Sequence, residues 1–175
     1  MFILVNGGSG SGKSEYAEAL ACEEKGTRYY IATMQPFGEE TLARIKRHRD
    51  MRKEKGFVTI ECYRDMASVE CDYAGVILIE CMSNLLANEM YGTETMRSDK
   101  ELLEAVFSGV EHIRKKCEHC IIVSNDIFSS GEQYDKETSH YQMLLGKINQ
   151  RLAAEADHVS EVVCGIPIIW KDIIK

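Results

Sequence analysis

Proline is nearly absent from this chain: Pro36 and Pro167 are the only two in 175 residues. With so little proline, no stretch reads as a linker, a low-complexity tract or an internal repeat. No apolar run approaches the ~20 residues that a membrane-spanning helix requires. A surplus of positive charge is missing too. Lys and Arg number 21 against 28 Asp and Glu, a net charge of −7, which argues against a general nucleic-acid binder. The seven cysteines are odd in number and scattered through apolar segments. Only Cys117 and Cys120 have metal-like spacing, with His112 nearby, and a structural zinc site takes four ligands, usually as two such pairs. That stretch reads instead as a helix end followed by a buried strand. Met1–Val5 is apolar but only five residues long and has no basic leader, so no secretory signal is expected. Reduced thiols in the cytoplasm are the expectation.

What remains is an ordinary globular balance, 45% apolar and 28% charged, in a length suited to one domain spanning residues 1–175. Apolar runs alternate with helical patterns. Strands are expected at Phe2–Asn6, Arg28–Ala32, Val58–Cys62, Val76–Glu80 and Cys120–Ser124, with His158–Cys164 and Ile166–Trp170 forming a closing hairpin around Gly165. Helices are expected at Lys13–Lys25, Glu39–Lys55, Asn84–Tyr91, Lys100–Lys116 and Lys136–Ala156. Such alternation predicts an α/β fold of three layers with a mostly parallel sheet, the hairpin supplying an antiparallel edge strand.

The strongest motif is Gly7-Gly8-Ser9-Gly10-Ser11-Gly12-Lys13-Ser14, which fits the phosphate-loop pattern without a gap. A buried strand precedes it and a helix follows it, as a P-loop demands. Its glycines let backbone N–H groups turn inward on a phosphate, and the helix start adds a positive dipole end. Lys13 is placed to reach the β- and γ-phosphates and Ser14 to ligate Mg2+. A second metal ligand is expected on a neighbouring strand end. Glu80 closes the Val76–Ile79 run where an aspartate usually sits; the alternative is a strand-end carboxylate facing water.

Residues 44–55 hold seven basic side chains, Arg44, Lys46, Arg47, Arg49, Arg52, Lys53 and Lys55. The ordinary explanation is a solvated helix face, and a nucleic-acid contact runs against the overall charge. His48 sets this helix apart. Arg44 and Arg52 lie four residues to either side and share its face. Two guanidiniums there would keep the imidazole neutral and nucleophilic and could hold a phosphate chain. A surface histidine is the competing reading.

Taken together these residues resemble a known family. Ile3-Leu4-Val5, Gly7-Gly8, Ser11-Gly12-Lys13-Ser14, Tyr30-Ile31-Ala32-Thr33, His48-Arg49-Asp50 with Arg52, Glu61-Cys62, Leu78-Ile79-Glu80-Cys81, Ser124-Asn125 and Asn149-Gln150-Arg151-Leu152-Ala153 are similar to the bifunctional adenosylcobinamide kinase / adenosylcobinamide-phosphate guanylyltransferases of cobalamin biosynthesis. The resemblance implies a P-loop fold and a homo-oligomer, a trimer in that family. It implies phosphorylation of adenosylcobinamide by ATP or GTP, then GMP transfer from GTP through a guanylylated histidine, which the match places at His48. Nucleotide contacts are implied at Gly7–Ser14, at Ala32, Thr33 and Met34, at Arg49, Asp50, Met51 and Arg52, and at Glu61 and Glu80. Glu61 and Glu80 are left between Mg2+ and the guanine hydrogens.

This sequence also departs from the family. Gly10 and Met51 stand where arginine and glycine are usual, and Asp126–Gly131 and Tyr141-Gln142-Met143 replace a proline-containing loop and an Arg-Asp pair. Corrinoid binding or the kinase step is expected to feel those changes. Another small-molecule P-loop kinase and a non-catalytic GTP-binding regulator are the rival readings.

Overall fold

The computed structural model describes residues 1–92, 97–127 and 134–173, without the side chains of Glu40 and Arg44. Strands and helices alternate: β1 (Phe2–Gly7), α1 (Lys13–Glu23), β2 (Arg28–Ala32), α2 (Glu39–Arg52), β3 (Phe57–Glu61), β4 (Ala74–Glu80), α3 (Met82–Tyr91), α4 (Asp99–Arg114), β5 (Cys117–Val123), α5 (Lys136–Glu155), β6 (His158–Val163) and β7 (Ile166–Asp172). One seven-stranded sheet runs in the order β3-β2-β4-β5-β1-β6-β7. Its pairings are parallel except that of β7 with β6, so the α/β reading and the antiparallel edge hold.

Period-two alternation sorts the strand side chains into two layers. Phe2, Leu4, Ile77, Ile79, Cys120 and Ile122 face α3, α4 and α5. Ile3, Val5, Val76, Leu78, Ile121 and Val123 face α1, where Ala17 and Ala21 let the helix sit close to the sheet. Both faces of the central strands are covered, which explains their unbroken apolar runs.

Most boundaries shift by one or two residues from the sequence reading, and the largest shifts, of three, are at the end of α2 and the start of β5. Helix α2 stops at Arg52, because Lys53 and Lys55 donate to Asp50 and Arg52 in tightened turns that lead to Gly56, at φ 69°. Strand β5 starts at Cys117, three residues early, since Cys117 pairs with Ala74 although Glu118 points to solvent. Strand β7 continues to Asp172. The divergent segment 126–131 is described only as far as Ile127. None of the described helices is long and apolar enough to cross a membrane.

Candidate active site

In open α/β sheets ligands bind beyond the carboxyl ends of the strands, and register aligns those ends here. Ala32 pairs with both Glu61 and Glu80, and Glu80 pairs with Val123. The residues that follow β1, β2, β3, β4 and β5 therefore open onto one cleft.

The phosphate loop leaves β1 at Gly7. A Cβ at Gly7 would lie 2.6 Å from the Val162 carbonyl oxygen, and one at Gly12 would lie 3.2 Å from the Gly165 Cα. Gly12 also takes φ 92° as it caps α1, a left-handed conformation that side chains resist. The backbone N–H of Gly165 donates to the Ser11 carbonyl at 2.8 Å, so the β6–β7 hairpin braces the loop from behind. Lys13 is 8% exposed and its Nζ donates to the Gly8 carbonyl at 2.9 Å.

Glu80 gathers the reactive groups. Its Oε1 accepts a hydrogen bond from Ser14 Oγ, and its Oε2 accepts from the Tyr30 hydroxyl at 2.9 Å. Burial first, and the Glu80 charge second, raise the Tyr30 hydroxyl pKa far above its ordinary value, so Tyr30 remains a donor. His48, on α2, presents Nδ1 3.7 Å from Glu80 Oε1. Paired beside the start of α1, the Ser14 hydroxyl and the Glu80 carboxylate are the hard oxygen donors that Mg2+ prefers.

Two cavities meet at this point. The larger, about 620 Å3, is lined by Ser9–Glu15, Arg47, Met51 and Asn125–Ile127. The smaller, about 310 Å3, has apolar walls from Pro36, Leu42 and Ile45 and polar ones from Arg49, Glu61 and Tyr63. Met34, His48, Glu80, Cys81 and Asn84 line both. In the smaller cavity Arg49 pairs with Glu61, which also accepts from the Tyr63 hydroxyl at 2.8 Å. Asn88 ties the rims together, donating to the Thr33 and Tyr63 carbonyls at 2.8 and 2.9 Å.

The sequence-expected residues divide by place. Ala32 and Glu61 line the smaller cavity, and Ser9–Ser14 and Met51 the larger. Thr33 is wholly buried and lines neither, its hydroxyl bridging the Cys81 backbone at 2.7 and 2.8 Å. Asp50 is exposed and also lines neither. Of the two guanidiniums expected to flank His48, the structure describes only that of Arg52. Arg44's side chain lies outside the described ones. Arg52 is pulled inward over the Tyr30 ring, 3.4 Å from its centroid, with Glu18 3.8 Å away. Among the described residues the ionic neighbour of His48 is the Glu80 carboxylate. Spacing along a helix gives a shared face but not what that face meets.

Sequence reasoning assigned no site role to Tyr30, Tyr63, Asn84, Asn88 or Glu18. One signal was present for Glu18: a carboxylate between Ala17 and Ala21 on a helix of small residues, one turn after Ser14.

A parallel sheet with a phosphate loop after its first strand, a lysine opening the next helix and an acid ending a nearby strand defines a P-loop nucleotide-binding fold. Within that class the model of one family, "Cobinamide kinase / cobinamide phosphate guanyltransferase" (CobU), matches residues 3–169, and the chain belongs to this family. A curated relative, the "Bifunctional adenosylcobalamin biosynthesis protein CobU" of Salmonella typhimurium, is 33% identical across 96% of this chain and 98% of its own length. The Escherichia coli protein of the same name is 29% identical over the same shares. Among solved structures, the flagellar accessory protein FlaH of Methanocaldococcus jannaschii aligns with a TM-score of 0.49 at 14% identity, covering 98% of this chain and 78% of that one.

Proposed function

We propose that this cobalamin-biosynthesis enzyme runs both reactions of its family in the one cleft, with His48 as the nucleophile of the second. In the first, the hydroxyl of the aminopropanol arm of adenosylcobinamide takes the γ-phosphoryl group of ATP or GTP. In the second, a His48 ring nitrogen attacks the α-phosphorus of GTP and pyrophosphate leaves. The phosphate of adenosylcobinamide phosphate then attacks that phosphorus, giving adenosylcobinamide-GDP and freeing the imidazole. A phosphoramidate is a good leaving arrangement, so splitting the transfer into two displacements lowers each barrier.

The observation that carries this reading is the position of His48 in the wall shared by the two cavities. The loop side offers Lys13 and the N–H groups of Ser9–Ser14 to a polyphosphate. The other side offers apolar walls and the Glu61 carboxylate, suited to a purine with donor edges. Ser14 and Glu80 would hold Mg2+, which neutralises phosphate charge during transfer. Tyr30 keeps Glu80 oriented. The described part of the divergent loop, Asp126 and Ile127, lines the phosphate cavity, so the kinase step is where that divergence is expected to be felt.

Homo-oligomers, trimers by resemblance, also belong to the proposal. Support comes from β7, an edge strand whose Ile166, Ile168, Ile169 and Trp170 are 42–66% exposed. Sedimentation in solution tests it.

The decisive experiment for the reaction uses α-labelled GTP. Acid-labile label retained on the protein and lost in His48→Asn supports the proposal. A simple kinase would turn over γ-phosphate and retain none, and a regulator would release its nucleotide unchanged.

A further inference from the structure

Helix α2 is held by charge. Among its described side chains only Arg52 is buried, and Leu42 is 50% exposed. It therefore lacks the apolar stripe that fixes an ordinary surface helix. Glu18, one turn after Ser14 on α1, is fully buried. Burial raises its carboxyl pKa, with the Lys55 ammonium opposing. Glu18 Oε2 accepts a hydrogen bond from Lys55 Nζ at 2.6 Å, and Oε1 lies 3.8 Å from Arg52 Nη1. From Arg52 the contacts continue over the Tyr30 ring, through the Tyr30 hydroxyl to Glu80, and from Glu80 to His48.

We infer that Glu18 is a positioning residue for guanylyl transfer, fixing the His48 helix against the helix that begins at the phosphate loop. Glu18 lines neither cavity, so it acts through other groups and not on substrate. Ser14 and Glu18 share a face of α1. Any slip of α2 along α1 therefore changes the distance from His48 to a nucleotide held by Lys13 and Ser14. Arg52 Nε and Nη1 make no hydrogen bond among the described residues. Glu18 is thus the acidic partner that holds this buried guanidinium over Tyr30. A desolvated carboxylate is costly and is sustained only by partners of this kind.

The inference rests on His48 being the nucleophile, and the test separates the two ideas. Single-turnover formation of acid-labile GMP on the full chain is followed with α-labelled GTP at several concentrations. Glu18→Gln is expected to lower the maximal rate ~10–100-fold while the half-saturating GTP concentration moves less than ~3-fold, the signature of misplaced reacting groups. Glu18→Asp, which keeps the charge, should recover part of the rate. An unchanged rate in Glu18→Gln overturns the inference, as does a rate that falls only in step with nucleotide affinity. If Glu18→Gln does not fold, Lys55→Met decides, because Lys55 is 30% exposed and Glu18 stays in place. A slowed transfer at unchanged GTP saturation supports the inference, and a wild-type rate overturns it. Label absent from the wild-type protein would sink the His48 reading itself.

Discussion

Helices α1 and α2 flank the same cleft and are secured in opposite ways. Helix α1 lies against the sheet through Ala17 and Ala21, both fully buried, and the hairpin at Gly165 braces its leading loop. Helix α2 buries a single described residue, a charged one, and reaches the body of the protein through Glu18, Glu61 and Glu80. The helix that follows the phosphate loop is thus anchored in the hydrophobic core, while His48, the proposed nucleophile, sits on a helix held by ion pairs and one stacked ring. Damage to α1 should spread to every nucleotide-dependent step. Damage to α2 should fall on the step proposed to need the histidine.

Several measurements would sharpen or break this contrast. The largest effect is expected at His48. In His48→Asn, protein-bound GMP should vanish while phosphorylated cobinamide still forms, because phosphoryl transfer to a hydroxyl needs no covalent enzyme intermediate. Loss of both products at unchanged fold and GTP affinity would erase the division between the helices. Lys13→Ala should slow both half-reactions by ~10²-fold or more, since one lysine serves the only phosphate cradle among the described residues. Near-normal turnover of either product would refute that shared role.

Stability should separate the helices as well. Ala21→Leu overpacks the layer between α1 and the sheet and is expected to cost ~1–3 kcal/mol. Leu42→Ala, on the exposed side of α2, should stay within about 0.5 kcal/mol. Denaturant unfolding reads both, and equal losses would contradict the contrast. A smaller effect is expected from pH. The Glu18 carboxyl is raised above its ordinary 4.5 by burial, so the folded protein binds that proton more tightly than the unfolded chain. Its contribution to stability is therefore full below the unfolded value and is lost as pH rises through the folded one. The denaturation midpoint of the wild type, relative to Glu18→Gln, should fall across that rise. A relative midpoint that climbs would show the opposite sign.

Much of this was legible in the sequence because its signals are contiguous. The loop Gly7–Ser14 carries its chemistry in eight consecutive residues, and the runs at β1, β4 and β5 announce strands covered on both faces. Reading failed where a side chain's role depends on what lies opposite. Arg52 shares a face with His48 on any helical wheel, yet its guanidinium turns toward Tyr30 and Glu18, which come from other elements. The start of β5 was hidden because Glu118 and His119 interrupt the apolar run, while the partner that makes them strand residues is β4, some forty positions earlier. The resemblance left Glu61 and Glu80 undivided between Mg2+ and the guanine hydrogens. Only the strand order separates them, placing Glu80 beside Ser14 and Glu61 beside Arg49 and Tyr63.

The position of β1 in the sheet also bears on how the chain is made. Its two neighbours are β5, beginning at Cys117, and β6, beginning at His158. Strands β2, β3 and β4 can pair with one another as soon as Glu80 has been synthesised, but β1, made before them, has no partner until β5 emerges. At ordinary translation rates that wait is on the order of 10 s. The hairpin tip that supports the phosphate loop arrives later still. The phosphate loop is consequently made early and braced late, and a ribosome-bound chain that stops before β6 and β7 carries the motif without the hairpin that supports it.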